Sequence, residues 1–137
     1  MKKLFILPIV LLLFSCSKKE PLDMDSNITR SDYYGTNAAG DTICRIYIPN
    51  GFTPNGDGVN DFYYISGTGI SQDNFQMKIL ARNANELFYS NELNYGWDGA
   101  IQGRANICSA GIYEAHIDVS DTLGKIYHFV QPFMLYK

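Results

Sequence analysis

The chain has 137 residues, of which 46% are hydrophobic and 14% aromatic, enough for the core of one domain and too many for wholesale disorder. Its net charge is −3, and loss of Lys2 and Lys3 with a leader would leave nine basic against 14 acidic residues, with no basic cluster to attract nucleic acid. Ten Tyr and eight Phe favour strands over helices.

Residues 1–15 read as a lipoprotein signal peptide. Lys2 and Lys3 form the charged start, residues 4–14 the apolar run, and Leu13-Phe-Ser-Cys16 fits the lipobox, with a small residue before the cysteine. The apolar run, interrupted by Pro8, falls short of the roughly 20 residues needed to span a bilayer. Polar Ser17-Lys-Lys-Glu20 follows at once, which speaks against a buried core helix. Cys16 is thus the expected lipidation site, and several acyl chains there would anchor the protein to a membrane. Ser17, where some lipoproteins carry aspartate, by resemblance to known sorting rules implies passage to the outer membrane.

Residues 16–41 are polar and without period, so a flexible tether is expected up to a domain at 42–137. The Tyr33-Tyr34 pair within it leaves open an added edge strand. Ile43–Ile48 alternates, with Cys44, Ile46 and Ile48 on one face and Arg45 and Tyr47 on the other. Phe62–Ile65 reads as a short aromatic strand closed by Ser66-Gly-Thr-Gly69. Phe75–Ile79 and Glu86–Tyr89 form the arms of a hairpin around Asn83-Ala-Asn85. Gly111–Val119 and Lys125–Tyr136 complete the set, with Pro132 marking an edge or bulge. This pattern predicts an all-β fold, an antiparallel Ig-like β-sandwich of about seven strands.

The stretch Ile48-Pro-Asn-Gly-Phe-Thr-Pro-Asn-Gly-Asp-Gly-Val-Asn-Asp61 holds two prolines, three glycines, three asparagines and two aspartates. Such a loop can be rigid without regular structure, because Asn and Asp side chains bond to nearby backbone N–H groups. Asn55, Asp57, Asn60 and Asp61 also offer four hard oxygen donors, so calcium is the candidate cofactor, with Asp98 as a distant further ligand. Self-capping and calcium both remain open at this point. Trp97, the single Trp, lies between Gly96 and Gly99 and reads as core rather than as a binding platform.

With Cys16 spent on lipid, Cys44 and Cys108 are left as an even pair, expected as a disulfide in an oxidising compartment, or else as two buried thiols. No serine or cysteine nucleophile stands in a recognisable elbow and no His-Glu-x-x-His motif occurs, so no catalytic residue is expected.

Three blocks carry a resemblance: Phe52-Thr53-Pro54-Asn-Gly56-Asp-Gly58-Val-Asn-Asp61, Gly96-Trp97-Asp98-Gly99, and Ala110-Gly111-Ile-Tyr113. Together with Arg82, Glu86, Leu87 and Phe88, they make residues 43–137 resemble the gliding-motility-associated C-terminal domain of Bacteroidetes surface proteins. Asn83 and Ala84 stand where that family usually has Trp and Gly. The resemblance implies a type B sorting module, in that family carried at the end of a large cargo and read by the type IX secretion machinery. Here anchor, tether and module are all that is expected, a stand-alone lipoprotein whose partners are type IX secretion components. The alternative is a surface module for glycan or protein, using Tyr47, Tyr63, Tyr64 and Tyr89.

Overall fold

The computed structural model describes residues 32–137. The expected signal peptide, Cys16 and the tether up to residue 31 lie outside these residues. Eight strands follow in order: β1 Asp32–Thr36, β2 Thr42–Tyr47, β3 Gly51–Phe52, β4 Ser66–Thr68, β5 Ile70–Leu80, β6 Glu86–Ser90, β7 Gly111–Asp121 and β8 Ile126–Leu135. They form a β-sandwich of two sheets, ordered β1-β2-β4 and β3-β8-β7-β5-β6. Every pairing is antiparallel except β3 with β8, which run parallel through Gly51–Met134 and Phe52–Leu135.

Alternation drives the packing. Cys44 and Ile46 of β2, with Ile48 beyond it, are buried from one sheet, while Met77, Ile79, Ala115, Ile117 and Val119 meet them from the other. In the larger sheet Ile117 lies between Met77 and Phe129, and Ile79 opposite Ala115. A fully buried side chain of this size contributes about 1.5–3 kcal/mol, so β5 and β7 form the centre of stability.

Two stretches differ from the sequence expectation. The sheet starts at Asp32 rather than at residue 42, because Tyr33 leans on Phe129, ring centroids 4.5 Å apart, and its hydroxyl donates to Gln131 Oε1. Phe62–Ile65 contributes only a bridge, Tyr63 to Trp97; the paired strand is the small Ser66–Thr68 that follows. Bulky alternation there serves side-chain burial, whereas close pairing to β2 falls to Gly67. A Cβ at Gly67 would run into the Arg45 carbonyl.

The two edges of the five-stranded sheet differ. At β6 the Gln102 side chain imitates a neighbouring strand: Oε1 accepts the Tyr89 N–H at 3.0 Å and Nε2 donates to the Tyr89 carbonyl at 3.2 Å. Its own N–H donates to the Leu87 carbonyl at 2.8 Å. At β8, β3 covers only the last two residues.

Gly67→Ala is expected to cost more than about 3 kcal/mol, since the backbone must move and the β2–β4 pairing opens. Thermal denaturation against the parent protein measures it; an unchanged midpoint would contradict the close approach.

Candidate functional site

The loop between β3 and Asp61 is closed by the Thr53 N–H donating to the Asn60 carbonyl at 2.8 Å. Asp61 spans it from inside: one carboxylate oxygen accepts the Gly56 N–H and the other the Gly58 N–H, both at 2.7 Å. Asn55 Oδ1 accepts the Asp57 N–H at 3.0 Å. Asp57 in turn accepts the Val59 N–H at 2.8 Å and the Asn55 side-chain amide at 3.0 Å. The Val59 N–H first, then Asn55, hold the Asp57 carboxyl below its ordinary value. Gly56, Gly58 and Asn60 take φ of 78°, 85° and 54°, which glycine and asparagine tolerate best.

The carboxylate oxygens expected to ligate calcium are thus each aimed at an N–H of the loop or of Asn55. Asp98 does not join them; its Oδ1 accepts the Ala100 N–H at 2.9 Å. Among the described residues no group of three or more His, Cys, Asp or Glu is placed to hold a metal. The donor set fits backbone capping better than a cation cage.

Behind this loop the three sequence blocks meet. Phe52 packs against Trp97 with centroids 5.4 Å apart, and Trp97 meets Tyr113 edge-on at 5.3 Å. Phe133 of β8 completes the cluster, perpendicular to Trp97 and stacked on Tyr63 at 3.8 Å. Trp97 is fully buried, and its Nε1 donates to the Ala100 carbonyl at 2.6 Å, so the indole loses no hydrogen bond on burial. Gly99, at φ 87°, faces Pro54, where a Cβ would sit only 3.0 Å from the ring. The Tyr113 hydroxyl donates to the Ser109 carbonyl at 2.6 Å. Gly111 has nothing near its α-carbon that excludes a side chain.

The four tyrosines of the alternative reading do not share a surface. Tyr63 is fully buried, its hydroxyl without a partner among the described residues, and burial pushes its phenol far up. Tyr47 and Tyr64 are exposed; Tyr89 is half-buried on the other sheet beneath the Lys78 ammonium.

Cys44 and Cys108 are separate thiols. Cys44 packs beside Tyr127, at the start of β8, whereas Cys108 is bonded through its N–H to Gly99 and lies within the field of Lys137, past the end of β8. Ten residues of β8 separate the two ends, roughly 30 Å at the usual strand rise, against a Cα separation of about 4.4–6.8 Å for a disulfide. Cysteine count gives parity but not position, so the expected pairing does not form. Burial, then the Asp98 charge, push the Cys108 thiol up, which makes it a poor thiolate at neutral pH. His116 lies 2.6 Å from Glu114 and His128 2.6 Å from Asp118, both pairs on the outer face.

Comparison with known families gives a match at residues 46–130 to the CHU_C Type IX secretion signal domain. The matched span holds the capping loop, the Trp97 turn and Tyr113, and stops before Phe133. No curated protein matches the chain.

Two outcomes test this geometry. Asp61→Ala should cost about 2 kcal/mol, since two loop N–H groups lose their acceptor, while Asp61→Asn recovers part of it. In urea titrations, equal stability of Asp61→Ala and the parent would refute the capping role. Because the Asp57 carboxyl is depressed in the folded state, its contribution is present above the ordinary value of 3.8 and lost as pH falls through the lower folded value. Asp57→Asn should therefore lower stability at neutral pH, with the difference from the parent closing below about pH 4, so that the acid limb of the stability–pH curve flattens.

Proposed function

The chain belongs to the CHU_C Type IX secretion signal domain family, and from that premise we propose that it is a non-catalytic, lipid-anchored envelope protein whose β-sandwich docks on the secretion apparatus. Association with type IX secretion, and with the cell envelope or surface, follows from the family itself. The finer reading adds three parts. Lipid on Cys16 holds the protein at the outer membrane, the polar segment after it spaces the domain from the surface, and the domain is the recognised element. The observation that carries the docking role is the convergence of Phe52, Trp97 and Tyr113 behind one self-capped loop. A surface held this rigidly loses little conformational entropy when a partner closes on it.

In this reading the exposed tip of the loop, residues 55–60, is the part presented to the apparatus, and the aromatic cluster fixes its angle. Calcium is the remaining proposed cofactor: carboxylates that already cap N–H groups keep further lone pairs, so a weakly held ion at the tip is compatible with the chemistry.

Export supplies the principal test. A carrier followed by this domain should reach the cell surface in cells with a working type IX system and accumulate inside cells that lack it. Trp97→Ala should abolish export. Equal export of the carrier with and without the system would sink the proposal. For the anchor, Cys16→Ala should move the protein from the membrane to the soluble fraction, or leave it unprocessed; normal processing with membrane retention would refute it. For calcium, an ion held at a hundredfold excess over its Kd would add about 2.7 kcal/mol, so melting curves with calcium and with chelator should separate by several degrees. Superimposable curves leave the loop capped by protein groups alone.

A further inference from the structure

The five-stranded sheet leaves one stretch of strand edge without a partner strand among the described residues. Among the described residues, β8 is paired along its whole length with β7, and on its other side only Met134 and Leu135 meet β3. From Ile126 to Gln131 that side carries no strand, so its N–H and C=O groups are a template for another. Pro132, without an N–H, bounds the stretch. The opposite edge of the same sheet is treated differently, since the Gln102 side chain occupies the hydrogen-bonding groups of Tyr89.

The open edge carries apolar residues on both faces, with His128 between them on the outer face and Gln131 at the end of the inner one. Ile126 and Val130 stand 45% and 61% exposed on the outer face, while Tyr127 and Phe129 are half-buried on the inner face. There a groove of about 310 Å³ opens between β8 and β1, lined by Asp32, Tyr33, Tyr34, Ile46, Tyr127 and Phe129. The residues exposed outward carry no lysine or glutamate of the kind that usually blunts such an edge. The order of residue types decides the partner. Ile126-Tyr127-His128-Phe129-Val130 reads aliphatic, aromatic, histidine, aromatic, aliphatic, a chemical palindrome about His128.

We infer that β8 is a homodimerisation edge, pairing antiparallel with β8 of a second copy about a two-fold axis at His128. In that register Ile126 stands opposite the partner's Val130, and Tyr127 opposite the partner's Phe129. Aliphatic meets aliphatic on the outer face and aromatic meets aromatic over the groove, the cross-strand pairs that stabilise a sheet. His128 stands opposite the partner's His128, each 2.6 Å from the Asp118 of its own chain, so neither ring depends on the other for a partner. The interface is isologous, as a two-fold requires, and the Gln102-capped edge at β6 leaves no second edge of this sheet for a chain of pairings. Five paired residues per copy bury less than the standard interface of about 1,600 Å², so a micromolar dimer is expected.

Sedimentation equilibrium of the full chain in density-matched detergent, from low to several hundred micromolar, tests this. The parent should pass from monomer to dimer with concentration. Val130→Asp should raise the dissociation constant by about tenfold or more, with an unchanged melting temperature, because the side chain is exposed. Leu123→Asp, at a position 71% exposed in the β7–β8 turn, should leave the constant unchanged. Directly opposed residues in antiparallel strands have Cα atoms about 4.5–5.5 Å apart, within disulfide range, so His128→Cys in a Cys108→Ser background should oxidise to a covalent dimer. A monomer at every concentration overturns the inference. So does a dimer whose constant Val130→Asp leaves unchanged and which His128→Cys does not cross-link.

Discussion

Burial of one indole ring organises this domain. Trp97 is reached by Phe52 from β3, by Tyr113 from the start of β7 and by Phe133 from the end of β8. These residues are far apart in sequence; the three strands share one sheet, whereas Trp97 lies outside it on a turn held by a single bridge to Tyr63. Their common packing sets where each segment ends. The geometry is selective because the indole N–H must also reach the Ala100 carbonyl, which requires the tight turn at Gly99. A smaller ring would keep apolar burial but lose that bond and leave a void between the sheets.

In front of the cluster, the loop achieves rigidity by another route. Asn55, Asp57 and Asp61 supply the acceptors that a strand neighbour would supply elsewhere, so a surface segment with no ladder has little unsatisfied backbone. The same substitution of side chain for strand appears at Gln102 on β6, and at Gln72, which bonds to the Asn91 carbonyl and the Leu93 N–H. Polar side chains in this protein largely complete the backbone of its margins.

The sheets were legible in the sequence where one face of a strand is buried. β2 of the smaller sheet and β5, β7 and β8 of the larger follow their alternation because a one-residue slip would turn each apolar row to solvent. Phe52, Trp97 and Tyr113 of the aromatic cluster were legible as motif residues, although neither their mutual contact nor the part played by Phe133 and Tyr63 was. β4 was hidden, and β1 only left open as an edge addition at Tyr33-Tyr34, because their pairing rests on small residues, Gly35 and Gly67, where a Cβ would strike Tyr127 or the Arg45 carbonyl. Close approach of backbones leaves no apolar period to read. The separation of Cys44 from Cys108 was hidden for a related reason: both lie beside the interior, yet at opposite ends of one strand, and distance along a sheet has no local signature. Gln102 shows the same limit, since a lone glutamine in a turn gives no sign of the edge it covers.

The parallel contact between β3 and β8 has a consequence for the order of events during biogenesis. Gly51 and Phe52 find their partners only at Met134 and Leu135, more than 80 residues later, and the Tyr136 N–H closes the ladder on the Phe52 carbonyl. Loop-closure entropy for so distant a contact must be overcome before any of its stabilisation is gained, which makes such a topology slow to fold. Until residues 133–136 have been synthesised, the aromatic cluster lacks Phe133 and the loop after β3 lacks its anchor. This corner of the sandwich therefore closes only after every other strand of the domain has been made.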